Sequence, residues 1–153
     1  MINKIIIASF IIWTVYAVSA LFVNYNRIHL SHMEAEEQLN KINQEQERIN
    51  KLTVEEILKE IPPKYGVKVA VAESITKCES QQNPLAINYN DGGVGKHSYG
   101  MWQYQVSTWE DWSKKYGEEL DIHSPYDQTK LASYMLSKNQ GRQWTCYRNL
   151  YNV

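Results

Sequence analysis

The stretch CESQQNPLAINYNDGGVGKHSYGMWQ, from Cys78 to Gln103, decides how this chain is read. It starts at the end of a run in which Val67, Val71, Ile75 and Cys78 recur at helical spacing. That spacing predicts a helix presenting these four residues to a core. Glu79 then falls at the helix's C-terminal end, where the backbone dipole is negative. At an exposed site this disfavours a carboxylate by up to about 1 kcal/mol. The same field, together with any burial, raises the carboxyl pKa. A carboxyl group kept protonated near neutral pH is a general acid. An ordinary helix-end glutamate facing solvent has no such role, so its neighbours decide. Beyond it, Asn83-Pro84 and the glycines at 92, 93 and 95 punctuate a loop, with room for a short β-hairpin in residues 86–100.

The flanks of that stretch read as helices. Thr53-Val54-Glu55-Glu56 is a capping-box pattern ahead of Ile57, Leu58 and Ile61, and Pro62-Pro63 is expected to end that helix. Residues 102–112 and 128–139 read as further helices, the latter with a partial apolar face of Leu131, Met135 and Leu136. Nothing alternates with period two for long. Residues 53–153 therefore read as one mainly α-helical domain.

Two segments precede it. Residues 24–52 are rich in Glu, Gln, Asn and Lys and lack Pro and Gly. Ile28, Ala35, Ile42 and Ile49 fall seven apart, but the second heptad position is mostly polar (Ser31, Gln38, Glu45). This favours a solvated helical stalk, with self-association through it as the sharper alternative. Residues 5–23, IIIASFIIWTVYAVSALFV, carry no charge and are long enough to span a bilayer. Residues 1–23 thus read as a retained signal anchor or as a cleaved signal peptide with Val18-Ser19-Ala20 at the cleavage site. The length of the run, with Tyr16 and Tyr25 at interfacial positions, favours the anchor. Either reading exports the rest of the chain to a compartment where disulfides persist.

Composition narrows the function. The chain has 153 residues, 16 Lys+Arg against 17 Asp+Glu, and a formal net charge of −1. Nucleic acid as the main partner is disfavoured, because duplex binding needs a basic face. Two cysteines allow one bridge and exclude a four-cysteine zinc site. The four histidines show no metal spacing. Eleven Tyr and five Trp against two Phe favour half-wet surfaces such as carbohydrate grooves. For Trp102, Trp109, Trp112 and Trp144, core packing is the ordinary reading.

Glu79-Ser80, then Asn83-Pro84-Leu85-Ala86, then Gly100-Met101-Trp102-Gln103 resemble the lytic transglycosylases of glycoside hydrolase family 23. The resemblance covers roughly residues 53–150 and implies a lysozyme-like helical fold. It implies peptidoglycan as substrate, no cofactor, and Glu79 as the single acid/base that forms 1,6-anhydromuramic ends. The cysteine before the glutamate and a second in Trp144-Thr145-Cys146-Tyr147 look similar to the resuscitation-promoting-factor branch of this fold. That similarity implies a Cys78–Cys146 disulfide.

Other residues carry over by position. Gln103 matches the glutamine that lines the sugar cleft in the family. Asn88 stands where many members have Ser or Thr, and its amide is able to donate to a carboxylate. Ser98 and Tyr99 precede Gly100 and are candidates to line the groove. Tyr147-Arg148-Asn149 is read as the remnant of a late Tyr-Asn motif, with Tyr147 as the candidate. The stretch from Asn88 to Ser98 is longer than the family's short form. Asp91 is the only acidic residue between Glu79 and Glu110. Its ordinary role is a turn. In the cleft it would position a water and make the enzyme a hydrolytic muramidase. A peptidoglycan-binding or scaffold module of an envelope machine, working through the stalk, is the rival from another class.

Overall fold

The computed structural model describes residues 2–93 and 96–152, the side chains of 2–12, 14, 15 and 17 excepted. The chain divides into two compact units, residues 1–50 and 51–153. The first is a single helix, α1 (Ile2–Lys51). Its described side chains are exposed, Ile28, Ala35 and Ile42 included, except Ile49, which is half-buried. Ion pairs run along it at helical spacing, Glu37 to Lys41 at 2.5 Å and Glu45 to Arg48 at 2.7 Å. Each adds only tenths of a kcal/mol. The expected anchor, residues 5–23, lies largely outside the described side chains. Among the described residues, no helix is long and apolar enough to cross a membrane.

The second unit is mainly helical with a small sheet. Its elements are α2 (Val54–Lys64), α3 (Val69–Ser80), β1 (Ile87–Asn88), β2 (Ser98–Tyr99), β3 (Tyr104–Gln105), α4 (Val106–Tyr116), α5 (Pro125–Ser137), a 3-10 turn (Gly141–Gln143) and α6 (Thr145–Tyr151). The capping box forms as expected: Thr53 Oγ1 accepts from the Glu56 N–H, and the Glu56 carboxylate accepts from the Thr53 N–H. Pro62-Pro63 does not end α2. Proline's fixed φ is helical, so the chain runs on through the pair for its last turn, although the Leu58 and Lys59 carbonyls lose their usual N–H donors. The Tyr65 and Gly66 N–H groups bond the Pro62 and Pro63 carbonyls at 3.0 Å.

Helix α3 turns a different face inward from the one the spacing predicted. Ala72, Ile75 and Thr76 are buried, Val67 and Val71 are half-buried, and Cys78 is exposed. Cys78 is exposed and is bonded to the buried Cys146 on α6. The sheet has a third strand that was not foreseen: β1 pairs with β2, and β2 with β3, all antiparallel. For that reason α4 starts at Val106 rather than at 102. Gln103 is left-handed (φ +51°), and Tyr104 pairs with Tyr99. Helix α5 starts at Pro125, three residues before the expected 128, because Ser124 caps it and proline suits the first helical position.

Helix α2 packs on α3 and α5, and α4 packs on α5. Leu58, Ile75, Met101, Trp102, Leu131 and Met135 fill the space between them. An aromatic group closes the site end of this core. Trp144 lies 5.5 Å from Trp102 and 5.7 Å from Tyr104, and Tyr104 lies 5.1 Å from Trp109. The buried ring N–H groups are satisfied, Trp102 by Thr129 Oγ1 (3.1 Å) and Trp144 by the Trp102 carbonyl (2.8 Å). Trp102, Trp109 and Trp144 are therefore core residues, and Trp112 is half-buried with its ring edge on Tyr134.

Candidate active site

The three short motifs fold onto one another. Helix α3 ends in two successive left-handed residues, Gln81 (φ 57°) and Gln82 (φ 63°). Their N–H groups bond the Lys77 and Thr76 carbonyls, which stops the helix just past Glu79. Asn83 Oδ1 accepts from the Leu85 N–H (3.0 Å), making the turn before Ala86. The Ala86 carbonyl then accepts from the Gly100 N–H (2.7 Å) and from the Gln103 amide (3.4 Å). The Ser80 hydroxyl donates to the Met101 carbonyl at 2.9 Å. Gly100 has φ +71°, and a Cβ there would sit 2.0 Å from Gln128 Nε2. Only glycine fits both the conformation and the space. Gln128 is fully buried on α5. Its amide donates to the Ile122 and Tyr99 carbonyls, and its oxygen accepts from the Trp102 N–H.

Glu79 is half-buried on the last turn of α3. Its Oε1 accepts from the Cys146 N–H at 3.1 Å. The Cys78–Cys146 disulfide, with Cα atoms 5.9 Å apart, fastens α6 beside it. Burial pushes the Glu79 carboxyl above its ordinary range. The Cys146 N–H opposes that shift, the charge of Asp91 adds to it, and Arg148 opposes it weakly. Burial and a neighbouring carboxylate thus raise this group, where the sequence had pointed to the helix dipole.

Asp91 lies within electrostatic reach of Glu79. Its carboxylate accepts from the buried Ser98 hydroxyl and from the Gln105 amide (3.2 Å), and its carbonyl accepts from that same amide (3.1 Å). Asp91, Gln103, Gln105, Thr108, Gln143 and Trp144 line a cavity of about 180 Å³, with Tyr104 behind. Polar side chains dominate its wall, as a hydroxyl-rich ligand requires.

The transglycosylase SLT domain model matches residues 56–151. The chain belongs to this family. Its members are lytic transglycosylases, so the chain is an enzyme-family member acting on peptidoglycan, with a lysozyme-like fold. No curated protein and no solved structure matches the chain.

Within this SLT domain the other expected site residues take varied places. Gln103 reaches the cavity, but its amide donates to the Gly100 carbonyl (2.8 Å) and braces the turn. Ser98 is fully buried and serves Asp91. Tyr99 is half-buried, with its hydroxyl 3.4 Å from His97 Nδ1. Asn88 is exposed, and its Oδ1 accepts from the Asn90 N–H (3.2 Å), closing its own turn. Tyr147 packs its ring on Gly141 and on Tyr151. Sequence reasoning missed Gln105, Gln128 and the Cys146 N–H, none of which carried a local signal; Ser80 was read only as part of the Glu79-Ser80 motif, without a role of its own. Among the described residues, no group of His, Cys, Asp and Glu is arranged to hold a metal.

Proposed function

We propose that the SLT domain cleaves the β-1,4 bond between N-acetylmuramic acid and N-acetylglucosamine, with Glu79 as its acid/base. The protonated carboxyl gives its proton to the bridging oxygen as the muramic C1–O bond breaks. The carboxylate left behind takes the proton of the muramic C6 hydroxyl. That oxygen bonds C1 and closes a 1,6-anhydro ring. One proton leaves Glu79 and one returns, and no water is consumed. The observation that carries this reading is the half-buried Glu79 carboxyl, raised in pKa and braced by a single backbone donor.

A second reading has its own support. Asp91 is held by Ser98 and Gln105 on the cavity wall, and its charge is felt by Glu79. A second carboxylate so placed would orient a water onto C1, giving a muramidase that leaves reducing ends. Mass spectrometry of fragments released from purified peptidoglycan, by the chain and by its Glu79→Gln variant, separates these readings. Anhydromuramic ends lost in the variant are the expected result. Reducing ends move the assignment to the Asp91 reading. No release by the oxidised protein overturns both and leaves a binding or scaffold module.

We also infer that residues 1–23 hold the chain in a membrane, that residues 24–52 form a stalk, and that residues 53–153 act on the exported side. The uncharged run 5–23 supports the first point. The disulfide supports the last, because such bonds persist in exported compartments. Membrane fractionation with alkaline carbonate washing tests it, and release of the chain into the wash would refute the anchor.

A further inference from the structure

Beside the Asp91 cavity lies a second, larger one of about 320 Å³, lined by Lys96, His97, Tyr99, Gln105, Val106 and Ser107. The two share Gln105 as a wall, and its amide is turned towards Asp91. Their charges differ. The first cavity has a carboxylate and no cation in its wall, while the second has an ammonium and an imidazole and no carboxylate. Among the described residues, Lys96 has no ion-pair partner. Its backbone is tied down instead: the Lys96 carbonyl accepts from the Asp91 N–H (2.9 Å), and its N–H donates to the Gly93 carbonyl (3.1 Å). The His97 ring is held by the Tyr99 hydroxyl at 3.4 Å and by the Tyr89 ring at 5.3 Å.

We propose that this second cavity is a binding site for a carboxylate of the peptide carried by the glycan strand, with Lys96 as its counter-charge. The proposal rests on the peptidoglycan reading above. The sugar backbone is neutral, and its peptide hangs from the lactyl ether of muramic acid. A strand whose sugar lies against Asp91 would therefore pass its acidic branch over Gln105 into the neighbouring cavity. A charge-assisted bond to the ammonium would hold that branch there. The site reads the peptide and not the sugar, so it sets which strands are cut.

The test uses the full chain in detergent, in the non-cleaving Glu79→Gln background. It is titrated calorimetrically with peptide-bearing glycan oligomers and with the same oligomers after amidation of their peptide carboxylates. Amidation is expected to weaken binding about fivefold, the scale of one partly exposed ion pair. Lys96→Ala should weaken binding of the unmodified oligomers by the same factor and hardly change that of the amidated ones. Lys96→Arg should restore the preference, and high salt should erase it. Equal binding of the two ligands, equal weakening of both by Lys96→Ala, or no binding of either overturns the proposal. Failure of the catalytic reading is seen separately, as no fragment release by the unmutated chain.

Discussion

The candidate site draws one carboxyl group from each of two regions, called here its walls, and they hold those groups by different means. The α3–α6 wall is covalently fastened. Glu79 stands at a helix end beside a disulfide, with one backbone donor and half its surface buried. The sheet wall holds Asp91 by side-chain hydrogen bonds alone, from Ser98 on β2 and Gln105 on β3. Burial on the first wall penalises charge and favours a proton donor. The second wall supplies a charge that penalises it further. On the proposed mechanism the first group changes its protonation, and the second acts through its position and its field.

The largest effect should come from removing the acid. Glu79→Gln keeps the Cys146 contact through its amide oxygen but has no proton to give. Release of fragments should fall by about 10²–10⁴-fold, the usual worth of a positioned general acid. Retention of a tenth of the wild-type rate would assign the chemistry to another residue.

Next is the fastening of the first wall. The disulfide closes a loop with a sequence separation of 68 residues. In the chain-entropy model this stabilises by up to about 4.4 kcal/mol. Cys78→Ser should therefore lower the denaturant midpoint of the domain strongly, and it frees the helix whose N–H braces Glu79. An unchanged midpoint would mean that the packing around Trp144 and α6 holds this wall without the bond.

The second wall is tested by Asp91→Asn. On the proposed mechanism activity needs protonated Glu79, so it should be lost as pH rises through the raised Glu79 pKa. Removing the Asp91 charge lowers that pKa and moves the alkaline limb of the pH–rate profile to lower pH. With anhydro products, the rate at the optimum should fall by less than about tenfold. A loss of 10²-fold or more together with reducing ends would make Asp91 the water-positioning base. An unmoved limb would show that the two walls do not communicate.

These walls were not equally legible in the sequence. The first was legible in part: Glu79, Ser80, Asn83 and Ala86 lie within eight residues and form a motif, but Ser80 meets Met101 across 21 residues and the Cys146 N–H reaches Glu79 across 67, which no local pattern signals. The capping box at Thr53 was legible because its determinants are local. The face of α3 was misread because helical spacing places a residue on a stripe without saying where the stripe ends. Cys78 lies in the last turn, where the side chain is exposed. The second wall was legible only as a lone acidic residue in a glycine-rich loop. Its partner Gln105 is 14 residues away on a two-residue strand too short to carry an alternating pattern. Gln128, which holds the Gly100 turn from α5, is a polar residue in a helix and is silent for similar reasons.

The smallest expected effect separates the walls thermodynamically. Glu79 has a raised pKa in the folded domain, so its contribution to stability is fully present at low pH and is lost as pH rises through that value. Above that value the wild type holds a half-buried carboxylate at some cost, and Glu79→Gln relieves it. The variant should melt about 2 °C higher there, a modest shift because the group is partly solvated. The gain should vanish below the pKa of an unfolded glutamate, where both proteins carry a neutral side chain. The same change at Asp91 should go the other way, because asparagine gives Ser98 and Gln105 a weaker acceptor. A stabilising Glu79→Gln beside a destabilising Asp91→Asn would mark the first group as kept against its own folding preference and the second as part of the frame. If both variants were destabilised at pH 7, Glu79 would be a structural acceptor for the Cys146 N–H, and its candidacy as the acid would lose its physical basis.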